Sequence, residues 1–385
     1  LLPLSQHSSV EHPLDDPTTY LPSTALFDAR RLSLELKNLI QSPLDKRMDE
    51  KYSAYGAASI DILIKTNTID YLSDLSNPSE GIPVTELASK FELDSRRAGR
   101  RLNLCTPGFV SIVGAMPRWV TESDWKLSRS PAQTAFQVAF KTPLQRFSWV
   151  MQNPQALIPL ADHLHMSVLG DMSTPSIVAD YPWEQLETPI IVDCGGGEGG
   201  LVTAILDAYS SFQAIVQDME NVVALTSSIM KERRPRDIES GTLKAEAHDL
   251  FQSQPRIGNE YSFILRHILH GWADKEAVGS GDIGNVARAL GPKSKILIIE
   301  MVAFPNVDST ATISAKSFLL DGDYKRPDYC VPSHFGSASK LVNAFSVHMP
   351  NLMNGCERSL REWESLVKGC GLCITNCALD SRVLL

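Results

Sequence analysis

No apolar run in this chain approaches the roughly 20 residues that a membrane-spanning helix requires. The best stretch, Ile296–Phe304, is short and interrupted by Glu300. Positive charge is also in deficit. The chain has 36 Lys and Arg against 45 Asp and Glu, a net charge of −9, which argues against a nucleic acid held by bulk charge, because phosphate binding rests on cationic surface. Cysteine is sparse and odd in number. The seven residues Cys105, Cys194, Cys330, Cys356, Cys370, Cys373 and Cys377 fall at irregular spacing and make a poor disulfide framework. Cys370, Cys373 and Cys377 cluster in GCGLCITNC, but the fourth ligand and second ordered pair of a metal centre are missing. They read as reduced, partly buried thiols. No His/Asp/Glu cluster has metal spacing, so no metal is expected. No internal repeat of fixed period is present. The opening LLPLSQHSSV lacks an initiator Met and a basic region and reads as a trimmed end, not a signal peptide. A cytoplasmic location is the expectation that follows.

The 385 residues are enough for two or three domains. Hydrophobic residues make up 43% and charged residues 21%, so a large core is possible and wholesale disorder is excluded. Residues 1–24, rich in Pro, Ser, Thr and His, read as a flexible N-terminal segment. Helical periodicity follows over Leu26–Ile40 and Tyr55–Leu72. Thr85 and Asp94 are N-cap candidates for two further helices, and Phe109–Val113 and Arg118–Thr121 look like two short strands. Helix, turn, helix and ribbon is the outline of a winged helix. A DNA-binding reading would place Arg96, Arg97, Arg100 and Arg101 on a recognition helix, but the net charge favours a packing or dimerisation module. Helical segments run from Ala132 to Gly170 with Phe136, Phe140, Phe147 and Trp149. Such a stripe is first a core; Phe140 is also a candidate to wall a small-molecule pocket. Pro175–Pro189 is a punctuated linker. The expected division is therefore a helical, winged-helix-like domain over 25–175 and a second domain over 176–385.

The second domain alternates strand and helix. Strands are expected at Pro189–Cys194, Gln213–Gln217, Tyr261–Leu265 and Ile296–Met301, and helices at Leu201–Tyr209 and Lys275–Leu290. Repeated βα units imply a doubly wound, mostly parallel α/β sheet of Rossmann type. In IIVDCGGGEGG the residues Gly195, Gly197 and Gly200 have G-x-G-x-x-G spacing, after a strand and opening a helix. Glycines permit the tight turn and a close backbone approach to a ligand. Asp218, at the end of the next strand, is placed to accept hydrogen bonds from ribose hydroxyls. To this point a nicotinamide dinucleotide would serve equally. Asp193 discriminates. A pyrophosphate beside it would be repelled by about 4 kcal/mol at 4 Å and intermediate dielectric, whereas a cationic amino-acid ligand would be attracted. S-adenosylmethionine carries a ribose, an ammonium and a sulfonium and no phosphate.

These motifs resemble the plant-type (class II) S-adenosylmethionine-dependent O-methyltransferase family, and in particular its fungal natural-product members. VDCGGGEGG resembles the VDVGGGxG motif, and VQDMENVV, AEAHDLF, LRHILHGWAD, IIEMV and NGCERSLREW follow in the family's order. The resemblance covers Tyr55 to the C-terminus. It implies that Gly195, Gly197 and Asp218 bind the cofactor, that Asp249 and Leu250 flank its adenine and that Arg266 lies near its sulfonium side. It implies that His270 is the general base, that Glu300 and Glu357 orient it, and that the N-terminal part dimerises and closes the neighbouring subunit's pocket. His163, with Met166, falls where members line the acceptor pocket. His267 competes with His270, lying one helical turn before it; the motif selects His270.

The chemistry agrees. The methyl leaves a neutral thioether, so no acid is required, but the acceptor oxygen must become nucleophilic. A phenol near pKa 10 and an ordinary histidine near 6.5 are separated by roughly 5 kcal/mol, and a carboxylate beside the histidine narrows that gap. One departure stands out: many members have Asp after the base histidine, where this chain has Gly271. Some fungal relatives on this fold use the cofactor as a cation in dehydrations or pericyclic reactions, an alternative with which methyl transfer to a small aromatic or polyketide-like acceptor must compete.

Overall fold

The computed structural model describes residues 107–153, 173–278, 282–303 and 337–375, together with isolated positions between 32 and 91. The chain divides into two compact units. One holds the described residues of Leu1–Ser128, Gln133–Pro143 and Pro327–Asn351, the other those of Arg129–Ala132, Leu144–Arg326 and Leu352–Leu385. No described helix is long and apolar enough to cross a membrane.

In the first unit the two expected strands at Phe109–Val113 and Arg118–Thr121 are instead one α-helix, Pro107–Thr121. The reason lies in its periodicity. Ile112, Val113, Ala115, Met116, Trp119 and Val120 are all buried, a helical stripe whose packing overrides the strand preference of its β-branched members. Trp119 donates its indole N–H to the carbonyl of Gln133 at 3.1 Å, next to the short helix Ala135–Phe140. That helix is capped by Thr134, whose hydroxyl accepts the N–H of Phe136 while Gln137 accepts the N–H of Thr134. The expected wing is thus absent from these residues, and the four arginines lie outside the described ones. The continuous helix expected over Tyr55–Leu72 is interrupted by a turn at Thr66 and Asn67, with Asn67 at φ +50°.

Among its described residues the second unit has five parallel strands: β1 Ile190–Cys194, β2 Gln213–Asp218, β3 Leu243–Ala247, β4 Tyr261–Arg266 and β5 Ile296–Ile299. Their order is β3-β2-β1-β4-β5. The unit is therefore a Rossmann-like α/β domain, as its alternating pattern implies. β1 pairs Val192 with Ile215 of β2 on one side and with Phe263 of β4 on the other. Both faces of β1 are covered. Ile191 packs in a core with Leu201, Val202, Ile205 and Trp183, and Val192 and Cys194 pack in a second core with Ile283, Val286, Trp363 and Leu366. Burial on both sides explains the near-continuous apolar runs of β1 and β4.

Three local expectations change. β3, LKAEA, the outermost described strand next to β2, buries Leu243 and partly buries Ala245 and Glu246; its charged positions hide a strand that exists because β2 offers a ladder. The helix expected over Lys275–Leu290 is two helices, Asp274–Ala277 and Asp282–Ala289, parted at the glycines of VGSGDIG, which cost backbone entropy in a helix. The linker Pro175–Pro189 is ordered structure. Residues 173–180 are helical, Ile177 and Trp183 are fully buried, and the Trp183 indole donates to the carbonyl of Ile177.

Candidate active site

The strand order reverses between β1 and β4, and the crevice at the carboxyl ends of such strands is where open α/β sheets bind ligands. Both clusters of sequence-implied residues lie there. The first is the glycine loop. Gly195 has φ +73°, and a Cβ on it would collide with Cδ1 of Ile268, so both conformation and space require glycine. The Gly197 N–H donates to Asp218 Oδ2 at 3.0 Å, and the Met219 N–H donates to Oδ1 at 2.8 Å. Thr226 holds the loop from below through the Gly197 carbonyl at 2.7 Å. Asp193 lies beneath the loop, 3% exposed, with its Cγ 2.7 Å from where a Cβ on Gly196 would stand. Burial pushes its carboxyl up to about 7, opposed by the charge of Arg266 and aided by that of Asp218. A carboxyl so placed gains from any nearby cation. Arg266, ending β4, donates to Thr174 at 3.1 Å and Ser173 at 2.7 Å.

Asp249 is exposed and accepts the N–H of Phe251 at 3.0 Å. Leu250 is half-buried, approaches Gly195 and is anchored by Asn285, which donates to its carbonyl at 2.8 Å. Asn285 was not among the expected residues. Its signal is tertiary, since it comes from a helix 35 residues further along the chain.

The second cluster surrounds His270. The chain leaves β4 through His267, at φ +52°, then turns through a short 3₁₀ helix, Leu269–Gly271. His270 is 3% exposed and Glu300 and Glu357 are fully buried. His270 Nδ1 lies 2.7 Å from Glu357 Oε1 and 3.7 Å from Glu300 Oε2. Glu300 Oε1 accepts the backbone N–H groups of Leu269 at 2.8 Å and His270 at 3.3 Å. Burial by itself would lower the pKa of His270, but the charges of Glu300 and Glu357 prevail and raise it to about 9, against a smaller opposing effect of Arg358. Burial by itself would raise the carboxyl of Glu300, but His270, His267 and the backbone N–H of His270 together hold it below the usual carboxylate range. Arg358 is a second residue that sequence reading missed, although it adjoins Glu357. Its buried guanidinium donates to Asp274 at 3.0 Å and to the carbonyls of Leu269 at 2.8 Å and Trp272 at 2.7 Å, fastening the loop that carries His270. Gly355 presses on the same loop so closely that any side chain there would collide with the His270 carbonyl.

His267 stands beside His270, with ring centroids 5.5 Å apart and Nδ1 3.8 Å from Glu300 Oε2. Ligand-capable atoms of His267, His270 and Glu300 all fall within 4.8 Å of one another, which corrects the expectation that no such cluster has metal spacing. Since His270 Nδ1 is already engaged by Glu357, the set is an acid–base cluster in the first instance. Gly271, in place of the family's Asp, is buried, and a Cβ there would meet the methyl of Met353 at 3.0 Å. Phe140 belongs to the first unit, half-buried, its ring 4.8 Å from that of Phe136. His163 and Met166 lie outside the described residues.

A family model described as an O-methyltransferase domain matches residues 132–320. Over those residues the chain is similar to the O-methyltransferase family. Its relatives include the O-methyltransferase gedA of Aspergillus terreus, 22% identical over 92% of this chain and 84% of that protein. The O-methyltransferase aunD of Aspergillus niger is 30% identical over 63% of this chain, which spans about half of that relative, 51%. Among solved structures, the mitomycin 7-O-methyltransferase MmcR is similar at 19% identity and a TM-score of 0.47, covering 91% of this chain and 94% of that one.

Proposed function

We propose that this protein transfers a methyl group from S-adenosylmethionine to a hydroxyl of a small aromatic or polyketide-like molecule, with His270 as the general base. The observation that carries this reading is the buried His270–Glu357 hydrogen bond of 2.7 Å, positioned next to the glycine loop by Ile268, which touches Gly195.

The residues of the loop fit the cofactor. Gly197 has open space where a side chain would stand, Asp218 is fixed by two N–H groups with lone pairs remaining for ribose hydroxyls, and Asp193 and Asp218 give the crevice a charge suited to a cation. Asp249 and Leu250 would bracket the adenine, and Arg266 would lie toward the sulfonium side. S-adenosylmethionine supplies the electrophilic methyl when bound. The remaining work falls to the chain's own groups. Glu357 takes the Nδ1 proton of His270 as its hydrogen bond, which leaves Nε2 as the basic atom and fixes the ring. Glu300 is held by two backbone N–H groups, so its charge is positioned before any acceptor arrives. Raising the histidine to about 9 brings it within about one pH unit of a phenol, so that the proton-transfer gap falls from roughly 5 to roughly 1.4 kcal/mol. His163, Met166, Phe140 and His267 are the candidate acceptor contacts.

The test is incubation with methyl-labelled S-adenosylmethionine and a panel of phenols, polyketides and pyridones, read by mass. A gain of one methyl with accumulation of S-adenosylhomocysteine, lost in His270→Ala, supports the reading. Conversion of an acceptor to an isomer or dehydrated product without S-adenosylhomocysteine would replace it with a cofactor-assisted pericyclase or dehydratase.

A further inference from the structure

Eight large apolar side chains among the described residues are exposed, and four of them, Phe147, Met151, Met219 and Phe251, converge on the cofactor crevice. Exposed apolar residues scattered singly need no explanation, but a contiguous group marks a binding surface. Met219 follows Asp218 at the end of β2, and Phe251 follows Leu250 beyond β3. The other two come from the helix Arg146–Gln152, which belongs to the same compact unit. Four residues apart, Phe147 and Met151 share one face of that helix. They reach different rims of the crevice. The Phe147 ring lies 6.2 Å from that of Trp272, tilted by 36°, and Trp272 meets Phe251 edge-on at 4.8 Å. The Met151 sulfur accepts Nδ2 of Asn221 at 3.1 Å. Trp272 follows β4 and Asn221 follows β2, and these strands flank β1 on its two sides. A helix that touches both therefore spans the carboxyl end of β1, where the glycine loop begins. Despite these contacts Phe147 is 52% and Met151 51% exposed. The sequence suggested a core position for Phe147, yet it packs in neither core of the unit.

We infer that the helix Arg146–Gln152 roofs the nucleoside end of the crevice, with Phe147 and Met151 covering the adenosine part of S-adenosylmethionine between Trp272 on one rim and Asn221 on the other. The chemistry suits that occupant. Adenine presents a flat π face that packs on an aromatic ring and on a polarizable thioether. Its ribose would be held by Asp218, three residues before Asn221, so the roof is continuous with the cradle already described. The face of the helix that carries the two side chains is anchored from within. Arg146 is buried at the start of the helix and brings its guanidinium 5.6 Å from the Phe147 ring, a cation–π contact that steadies the ring. A roof of this kind adds apolar contact to the nucleoside without touching the methyl, so it acts on how long the cofactor stays and leaves the transfer step to His270. The inference rests on the S-adenosylmethionine reading of the crevice.

The experiment is calorimetric titration of the full chain with S-adenosylhomocysteine and, separately, with 5′-methylthioadenosine, which keeps the nucleoside and lacks the amino-acid part. Wild type is compared with F147A/M151A and with F147L/M151L. Covering two half-exposed apolar side chains predicts binding on the order of tenfold weaker in the double alanine variant. The factor should be the same for both ligands, because they share the part that the roof covers. The leucine pair, which keeps apolar bulk, should recover most of the loss. Rapid mixing, followed by the fluorescence of Trp272 and its neighbours, should place the loss in a faster dissociation rate. The melting midpoint without ligand should change little, since neither side chain belongs to a core; if it falls, the single variants carry the test, each with binding about threefold weaker. Unchanged affinity for both ligands in the folded double alanine variant would overturn the inference. So would a loss confined to S-adenosylhomocysteine, which would move the contact to the amino-acid end. A changed sedimentation coefficient with unchanged affinity would reassign the patch to an interface between copies of the chain. Failure of the wild type to bind either ligand would instead remove the cofactor reading itself, and the two failures are thereby distinct.

Discussion

The two halves of the site are built in opposite ways. The cofactor cradle is local. Asp193, Gly195 and Gly197 sit within five residues, and Asp218 closes the loop 21 residues later with a 3.0 Å hydrogen bond to Gly197. The acid–base cluster is long-range. His270 meets Glu300 across 30 residues and Glu357 across 87, with Arg358 bracing the loop from a similar distance. The cradle depends on backbone conformation, which glycine spacing encodes directly. The cluster depends on burial and mutual charge, which exist only after the sheet has formed. Damage to the first should therefore appear in binding and stability, and damage to the second in rate and pH dependence.

The largest effect that would sharpen this contrast is expected from His270→Ala. Loss of a general base costs about 10²–10⁴ in rate, and calorimetry should find cofactor affinity little changed. A matching loss of affinity would break the separation. Next is Gly195→Ala, for which both the positive φ and the collision with Ile268 predict destabilisation of about 1–3 kcal/mol, seen as a lower midpoint in denaturant, together with weakened cofactor binding. Asp218→Asn should keep the fold, because an amide oxygen can still accept from Gly197, and weaken cofactor binding by about tenfold, the scale of one hydrogen bond to a charged group. Glu357→Gln removes one of the two charges that raise His270. The acidic limb of the pH–rate profile, at or below about 9 in the wild type, should move to lower pH while the maximal rate falls; a limb that stays in place would assign the titration to another group.

The smallest expected effect concerns stability. The folded pKa of His270, about 9, exceeds the ordinary value of 6.5. Its contribution is fully present below about pH 6.5 and is lost as pH rises through about 9. Thermal unfolding should show a decline across that window that is reduced in His270→Gln.

Much of the fold was legible because its signals are local. The runs IIVDC, QAIVQ and YSFIL are apolar and β-branched and became adjacent parallel strands. LKAEA was not legible, since it fully buries only Leu243 and its two charged residues carry no strand signal. The helix Pro107–Thr121 misled for the opposite reason: its β-branched residues suggest strands, while the stripe from Ile112 to Val120 that packs it as a helix is weaker in the sequence than in space. The Lys275–Leu290 pattern hid a break at its glycines.

For the site, the sequence by itself determined which residue types could do the chemistry and, through a five-residue motif and its downstream acid, the shape of the cradle. Backbone conformation is a nearest-neighbour property, and glycine spacing records it. Only the tertiary structure decided that Glu300 would divide its two oxygens between a backbone loop and a pair of histidines, that Arg358 would be buried under that loop, and that the base would be raised toward the range of its substrate. Those outcomes follow from desolvation and from charge–charge distances of 2.7 to 3.7 Å around His270, which are set by how the sheet and its flanking segments pack and not by separation along the chain.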